Sequence, residues 1–427
     1  MAVYVTCLTA SGGLPVFTRS SGDLKPLPFP LIGSLNGVHM FGANHNVDLL
    51  SSTTDDSKVI WKVFQDSITL IIISQDDIAD DCHMTNVLKF IHQSLVLLLG
   101  KEEVQNIDKN VEKFKREVKV CNSLIDHFIQ APVSTTFSQL TNTVEIIAAP
   151  ENITLQNFLD AFTDAAETVY GCLLVEGKIA VATKKWWSLT ANELVLLRML
   201  VSSMSDCTSR DVPVYLPDSH PTVPHRLMTF HLTKCVQVCV ICGPSPSLCD
   251  LEPEDFGHGY QEGGSGARPR STCMCDVFIS QLYWIDVLLD LQPLKIKHLD
   301  VTFAKFLVVN KDTNRCLHST SPSLEDRSTL GDGLNPAQRK EVLQSFYKKV
   351  IGSFFSSNIE GSELGPEEYS HSPQETYITT DIHKCYAAQS GSHQIFILYA
   401  DTIPTYAMRS ITHKTLNLLT KDRHVCI

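Results

Sequence analysis

Apolar positions along the chain run in short, strand-like stretches and then switch to the three-and-four spacing of a helix, and this sequence of events occurs three times. Val3 to Leu8 predicts a strand, Ala10-Ser11-Gly12-Gly13 a turn and Pro15 to Thr18 a second strand, with a helical segment from about Pro30 to Phe41. Val169 to Val175, the Glu176-Gly177 turn and Lys178 to Thr183 repeat the hairpin, and Leu194, Leu197, Leu200 and Val201 mark the helix behind it. Phe303 to Val309, Asn310 to Asn314 and Arg315 to His318 repeat it again, followed by a stripe of Val342, Leu343, Phe346, Tyr347 and Val350.

Further strands follow each unit. They are Lys58 to Phe64 and Ile68 to Ser74 in the first, Val212 to Leu216, Arg226 to Leu232 and Val236 to Ile241 in the second, and Tyr377 to Ala387 and Gln394 to Tyr399 in the third. Helix closes each unit. In the first, Met84, Val87, Leu88, Ile91, Leu95 and Leu98 form a stripe ended by Gly100, and Ile107, Val111, Phe114, Val118, Cys121, Ile125 and Phe128 form a second seam. The pattern predicts an α+β protein of three related domains, at 1–131, 142–291 and 295–427, each an antiparallel sheet flanked by helices. Polar or Gly-rich stretches at 256–271, 319–335 and 356–375 are expected as loops.

The chain has 427 residues with 35 Lys plus Arg against 47 Asp plus Glu, a formal net charge of −12. A phosphate-backbone binder shows the opposite sign, so nucleic acid is not an expected partner. Hydrophobic residues at 43% and charged residues at 19% describe a packed chain rather than a disordered one. Many of the 14 cysteines, such as Cys7, Cys172, Cys235 and Cys239, sit in apolar runs as small core residues, which suits a reducing compartment. The N-terminus has no basic stretch of a secretory signal, and Ile68 to Ser74 and Leu95 to Leu99 are far shorter than the ~20 residues that span a bilayer. A soluble, cytoplasmic protein is expected.

Catalytic motifs are missing: there is no GxxxxGK, HExxH, GxGxxG or GxSxG, and the pairs Asp55-Asp56, Asp76-Asp77 and Asp80-Asp81 read as solvated turns. No catalytic residue, cofactor or metal is expected. Cys239-Val-Ile-Cys242-Gly243 has the shape of a zinc knuckle, with Cys249, His258, Cys273 and Cys275 as further donors, but a buried strand accounts for the same thiols. Lys184-Lys185-Trp186-Trp187 places two aromatics beside two cations, suited to a membrane-interface or partner contact if exposed and to the core if buried. The cations Arg409, His413, Lys414, Lys421, Arg423 and His424 give a weak signal for acidic phosphoinositide headgroups.

The segment Leu31-Ile32-Gly33-Ser34-Leu35-Asn36-Gly37-Val38-His39-Met40-Phe41-Gly42 has helical spacing yet carries three glycines, each costing about 1 kcal/mol against Ala inside a helix. Glycine on a helix lets a second backbone approach closely, either from the chain's own sheet or from a partner.

Four stretches, LPFPLIGSLNGVHMFG (Leu27 to Gly42), WKVFQDSITLI (Trp61 to Ile71), PVYLPDSHPTVPHRLM (Pro213 to Met228) and CGPSP (Cys242 to Pro246), closely resemble those of the tri-longin planar cell polarity effectors. The resemblance implies three longin domains, each a five-stranded antiparallel sheet flanked by helices. It also implies a heterodimer with Inturned, association with the β-propeller protein Fritz (Wdpcp), and a place at the ciliary basal body. Heterodimers of this kind act as guanine-nucleotide exchange factors for Rab GTPases, and exchange needs surface shape rather than a nucleophile. By analogy the first domains of the two subunits pair, which makes Ile32, Ser34, Asn36, His39 and Met40 the expected partner or GTPase contacts, with Trp61 as their support. The rival expectation is a non-enzymatic scaffold holding a GTP-bound GTPase and ciliary cargo.

Overall fold

The computed structural model describes residues 3–21, 27–75, 81–129, 136–149, 152–205, 207–233, 235–251, 305–319, 334–355, 373–421 and 427. Its first sheet contains β1 (Val3–Thr9), β2 (Pro15–Ser21), β3 (Ser51–Thr53), β4 (Lys58–Phe64) and β5 (Ile68–Ser74), in the order β2-β1-β5-β4-β3. A short strand, β6 (Val144–Glu145), precedes the second sheet, which is formed by β7 (Tyr170–Val175), β8 (Lys178–Ala182), β9 (Ser209–Leu216), β10 (His220–Thr233) and β11 (Val236–Cys242), in the order β8-β7-β11-β10-β9. The third holds β12 (Lys305–Asn310), β13 (Arg315–His318), β14 (Glu375–Thr379), β15 (His383–Ser390) and β16 (His393–Ala400), in the order β14-β15-β16-β12-β13-β6. Apart from β6, the topology is the same three times, and within each unit neighbouring strands are antiparallel. The three-unit α+β architecture expected from the hydrophobic pattern is what the chain adopts.

Helix covers the sheets. In the first unit α1 (Phe29–Asn44) lies on one face, and α2 (Asp81–Leu99), α3 (Lys101–Gln105), α4 (Val111–Glu117) and α5 (Asn122–Ile129) lie on the other. Then come α6 (Phe137–Thr141), α7 (Asn152–Ala165), α8 (Ala191–Ser203) and α9 (Leu248–Leu251), followed by α10 (Pro336–Ser353) and α11 (Thr405–Lys421). The helices between the second and third strands of the units are therefore α1, α8 and α10. Among the described residues no helix is long and apolar enough to cross a membrane.

The first two units share one core. Val5, Cys7, Leu70 and Ile72 of the first sheet, Leu88, Ile91 and Leu95 of α2, Leu194, Leu197 and Val201 of α8, and Cys172, Leu227 and Cys239 of the second sheet belong to a single buried cluster. Every residue of α8 from Glu193 to Val201 is buried, because α2 and α5 close over the side that its own sheet leaves open. A capping box at Thr190 and Glu193 starts this helix, and the Glu193 carboxylate also accepts from the backbone N–H of Asp218 (3.0 Å) and Ser219 (2.7 Å), which ties the β9–β10 turn to it.

Residues 144–147 join the second unit to the third. Val144 and Ile146 donate their N–H to the carbonyls of Asn314 and Cys316, and Ile147 donates to Ile179 (2.9 Å in each case), so one short segment pairs in parallel with β13 and then with β8. The sequence places this segment inside the second domain. It instead completes the third sheet, a long-range pairing that local periodicity does not register.

Other departures have local causes. The seam from Ile107 to Phe128 is not one helix: Asn110 caps a restart by accepting from the Lys113 N–H, and Val118–Cys121 tightens into a 3-10 turn, yet the apolar stripe, apart from half-buried Val111, stays buried. The expected strand from Tyr377 to Ala387 is two, because the Thr380 hydroxyl bonds both the N–H and the carbonyl of His383 and closes a turn. Helix α7 escaped the strand-centred reading altogether. The expected loop at 256–271 lies outside the described residues, as do most of 319–335 and 356–372. Glu375, expected in a loop, begins β14.

His92 on α2 is buried and stacks on Phe64 at 4.3 Å between ring centroids. Burial lowers its pKa to about 4 from 6.5, so as pH falls the unfolded chain takes the proton first and stability is lost between pH 6.5 and 4. His92→Phe should remove up to about 3 kcal/mol of the stability difference between pH 7 and pH 4.5, read from urea midpoints. Equal pH slopes for the two proteins would refute it.

Candidate interaction surface on the first domain

Pro28 and Pro30 pre-set the entry to α1, with Pro30 inside the first turn, where a missing N–H carries no cost. The helix holds to its sheet through a narrow contact. Ile32 is buried against Leu8, Val59, Trp61 and Ile71, and Leu35 and Leu49 pack at the edge of that cluster. Trp61 on β4 reaches up from the sheet, its Nε1–H donating to the Leu35 carbonyl at 3.3 Å. Asn36 lies so close over Gly13, which has φ of +63°, that a Cβ at Gly13 would sit 2.0 Å from its amide nitrogen.

The remaining turns of α1 carry apolar side chains into solvent. Phe29 is 70% exposed, Phe41 68% and Val38 56%, and Leu31 is also exposed. Val47 and Leu50, just beyond the helix, extend the patch. Gly33 and Gly37, one helical turn apart, have nothing within 4 Å of where a Cβ would project, so they leave a bare strip of backbone beside Ser34, Val38 and Phe41. The close approach that these glycines permit is not used by the chain's own sheet. In α8 and α10 the corresponding helices bury their apolar residues, so α1 alone of the three presents such a ridge among the described residues.

The expected contacts divide accordingly. Ser34 is exposed, its hydroxyl donating to the Pro30 carbonyl at 3.0 Å, while Asn36, His39 and Met40 are half-buried along the flank of the helix. His39 has a buried Nδ1 with no hydrogen-bond partner. Ile32 points the wrong way for a partner contact: it is the helix's anchor to the sheet, and its burial is a correction to its expected role. Trp61 is buried and braces the helix from below. The outward residues Phe29, Leu31, Val38 and Phe41 are the ones that spacing alone undervalues. The signal was there, because apolar side chains fall all around this helix instead of on one stripe.

The second candidate, Lys184-Lys185-Trp186-Trp187, is mostly internal. Trp186 is a buried core residue, and Trp187 is half-buried beneath the Arg315 guanidinium of the third unit, 3.8 Å from its ring centroid. Trp186 is thus core and not a membrane or partner contact, while Trp187 keeps part of its surface exposed. Lys184 and Lys185 remain exposed. Cys239 and Cys242 are buried on β11, with Cys239 opposite Cys172 on β7, and no group of metal-ligating side chains exists among the described residues. Cys273, Cys275 and His258 lie outside them. Of the C-terminal cations, Arg409 and His413 are held to Glu375 at 2.9 Å and 2.8 Å, and 422–426 fall outside the described residues.

Three sheets of one repeated topology, each with a helix between its second and third strands, define a tri-longin protein, and three family models agree. The first, second and third longin domains of FUZ, MON1 and HPS1 match residues 3–128, 166–255 and 304–423. The chain is 37% identical over 429 residues to protein fuzzy homolog of Xenopus tropicalis, covering 99% of this chain and 98% of that one. It is 35% identical to the protein of that name from Homo sapiens and 34% to that from Mus musculus, each over 98% of this chain and 97% of theirs. The chain belongs to the Fuzzy family.

Because Gly33 and Gly37 face open space, Gly33→Ala and Gly37→Ala should each stabilise the isolated chain, by up to about 1 kcal/mol, through the helix propensity of alanine. Thermal or urea unfolding reads this directly. A loss of stability would mean that the strip is packed.

Proposed function

We propose that the protein is one subunit of a heterodimer with Inturned that promotes nucleotide exchange on a Rab GTPase, in association with Fritz, during cilium assembly and planar cell polarity. Its site of action on this reading is the cytoplasm at the ciliary basal body. The single observation that carries it is the exposed apolar ridge of α1 with its bare glycine strip, on the one helix of the three that the chain leaves uncovered. An apolar patch of this kind marks a protein interface, and membership of a family of tri-longin proteins supports a longin domain as the partner.

The chemistry is non-covalent. An exchange factor binds the nucleotide-free GTPase more tightly than the nucleotide-bound form, and so lowers nucleotide affinity by the ratio of the two. Such a reading requires no cofactor and no catalytic triad. It requires a rigid platform, which the Trp61 brace under α1 supplies, and a joint surface, which neither subunit supplies alone.

Release of fluorescent GDP from a panel of Rab GTPases tests this, with the chain alone, Inturned alone and the two co-purified. Acceleration by the pair only is the expected result, and Phe41→Asp on the α1 ridge should weaken assembly of the pair by at least about tenfold while leaving the chain folded. A stable pair that accelerates no Rab would favour the scaffold function, in which the GTP-bound form is held instead.

A further inference from the structure

The third unit leaves its outer strand β14 beside the start of α11, and a groove of about 790 Å³ opens between them. Glu375, Thr376 and Tyr377 of β14 form one wall, Thr405, Tyr406 and Arg409 of α11 form the other, and Tyr386 of β15 is the floor. Tyr377 and Tyr386 are cross-strand partners whose rings lie nearly parallel, with centroids 6.5 Å apart and an interplanar angle of 10°. Tyr386 is buried in the cluster that α11 covers, together with Met408 and Leu416, whereas Tyr377 is 56% exposed and Tyr406 87%. These two are the only exposed tyrosines among the described residues, and both line this one groove.

The polar groups of the groove are unevenly engaged. Glu375 is its one carboxylate, and it already accepts from the Tyr386 hydroxyl at 2.6 Å, with Arg409 Nε and His413 Nε2 standing 2.9 Å and 2.8 Å away. The Tyr386 hydrogen bond, followed by those of His413 and Arg409, holds that carboxyl below its usual range against partial burial. By contrast, the hydroxyls of Thr376, Tyr377, Thr405 and Tyr406 make no hydrogen bond among the described residues, and the Arg409 side chain is 71% exposed. An incoming ligand therefore meets aromatic faces and side-chain donors, and no free carboxylate. In a chain of net charge −12, α11 holds Arg409, His413, Lys414 and Lys421 and no acidic residue.

We propose that this groove binds an extended, proline-rich peptide of a partner protein, with an acidic residue at one flank. Hydrogen bonding, shape and charge select that class together. A polyproline II segment makes no internal hydrogen bonds, so its carbonyl acceptors face outward, and its prolines carry no N–H, which is the converse of what the groove's side chains offer. Pyrrolidine rings dock against aromatic faces such as those of Tyr377 and Tyr406, and the segment is extended before it binds, so less ordering entropy is lost. The exposed Arg409 guanidinium supplies a charge-assisted hydrogen bond to the flanking carboxylate.

A fluorescent decaproline peptide preceded by two glutamates is the probe, read by anisotropy against the full-length chain. Saturable binding is expected, and a glycine–serine peptide of the same length and charge should bind at least about tenfold more weakly. Tyr406→Ala and Tyr377→Ala should each weaken the proline peptide by at least about tenfold, and Arg409→Gln should erase the advantage of the two glutamates over two lysines at the same end. Ile153→Ser, at an exposed apolar position on α7, should change nothing. Because Tyr406 stands almost wholly in solvent, its replacement leaves the fold intact, which circular dichroism checks. The proposal is overturned by a wild-type chain indifferent to the proline peptide, by equal binding of the glycine–serine peptide, by binding that survives both tyrosine substitutions, or by equal loss in Ile153→Ser. Tighter binding of a valine–threonine peptide would also overturn it and assign the edge of β14 to strand addition, and a dimer in light scattering that Tyr406→Ala abolishes and the peptide does not displace would make the occupant a second copy of this chain.

Discussion

Each of the three sheets is apolar on both faces, and the need to cover six faces with the helices of one chain governs the rest of the architecture. The central strands state the requirement most plainly: all seven residues of β1 are buried, as are all six of β12. The first unit meets it with α1 on one face and α2 to α5 on the other. This chain economises by letting units cover one another, since α2 and α5 of the first unit close over α8 of the second and all three elements share a single core. At roughly 25 cal/mol for each Å² of apolar surface removed from water, a helix buried on all sides contributes more than one buried on a single stripe. Covering α8 in this way leaves the opposite face of the first sheet with α1 alone, and α1 is held by little more than Ile32, Leu35 and the Trp61 hydrogen bond.

Much of this was legible in the sequence because strand and helix periods are local. The hairpins at Lys58–Phe64 and Ile68–Ser74 emerge with the bounds that alternation predicts, and the repeated hairpin-then-helix order was enough to count three units. What stayed hidden was long-range. Val144 and Ile146 are short, β-prone and apolar, and nothing near them announces that they bond to Asn314 and Cys316, some 170 positions away by residue number. The same limit applies to Trp186 and Trp187: the residue type identifies a payload that must be buried or used, but the choice between core, domain contact and partner contact depends on where Arg315 arrives. On α1 the types and the spacing were both visible, and only the direction of each side chain was not. Ile32 and Phe41 look alike in a sequence and face opposite ways.

The contrast between α1 and α8 also explains why a helix with three glycines survives here. Propensity is a weak force when a helix is buried on every side, because packing decides, but α1 has no such packing and should suffer the full effect of Gly33 and Gly37. A local cost retained at an exposed position, beside exposed Phe29, Val38 and Phe41, conflicts with stability of the isolated chain and agrees with stability of an assembly. Alanine at these positions would strengthen the helix and fill the strip of α1 where another backbone can come close. Stability of the single chain and association with a partner therefore pull in opposite directions at the same two residues.

A second conflict of the same form sits between the second and third units, where burial and charge disagree instead of burial and propensity. In a chain of net charge −12 acid is ample, and elsewhere it pairs the cations: Arg19 with Asp126, Arg226 with Asp211, Lys113 with Glu103 and Glu117. At the junction Lys305 and Lys340 of the third unit lie near Lys178 of the second, and Glu145 is the acidic group among the described residues that acts on both. Mutual repulsion across that contact opposes the docking of the units, and the surface covered by Lys305, Arg339 and Arg198 is too buried for bulk salt to screen it well. The parallel pairing of residues 144–147, first with β13 and then with β8, holds the two units together against that repulsion.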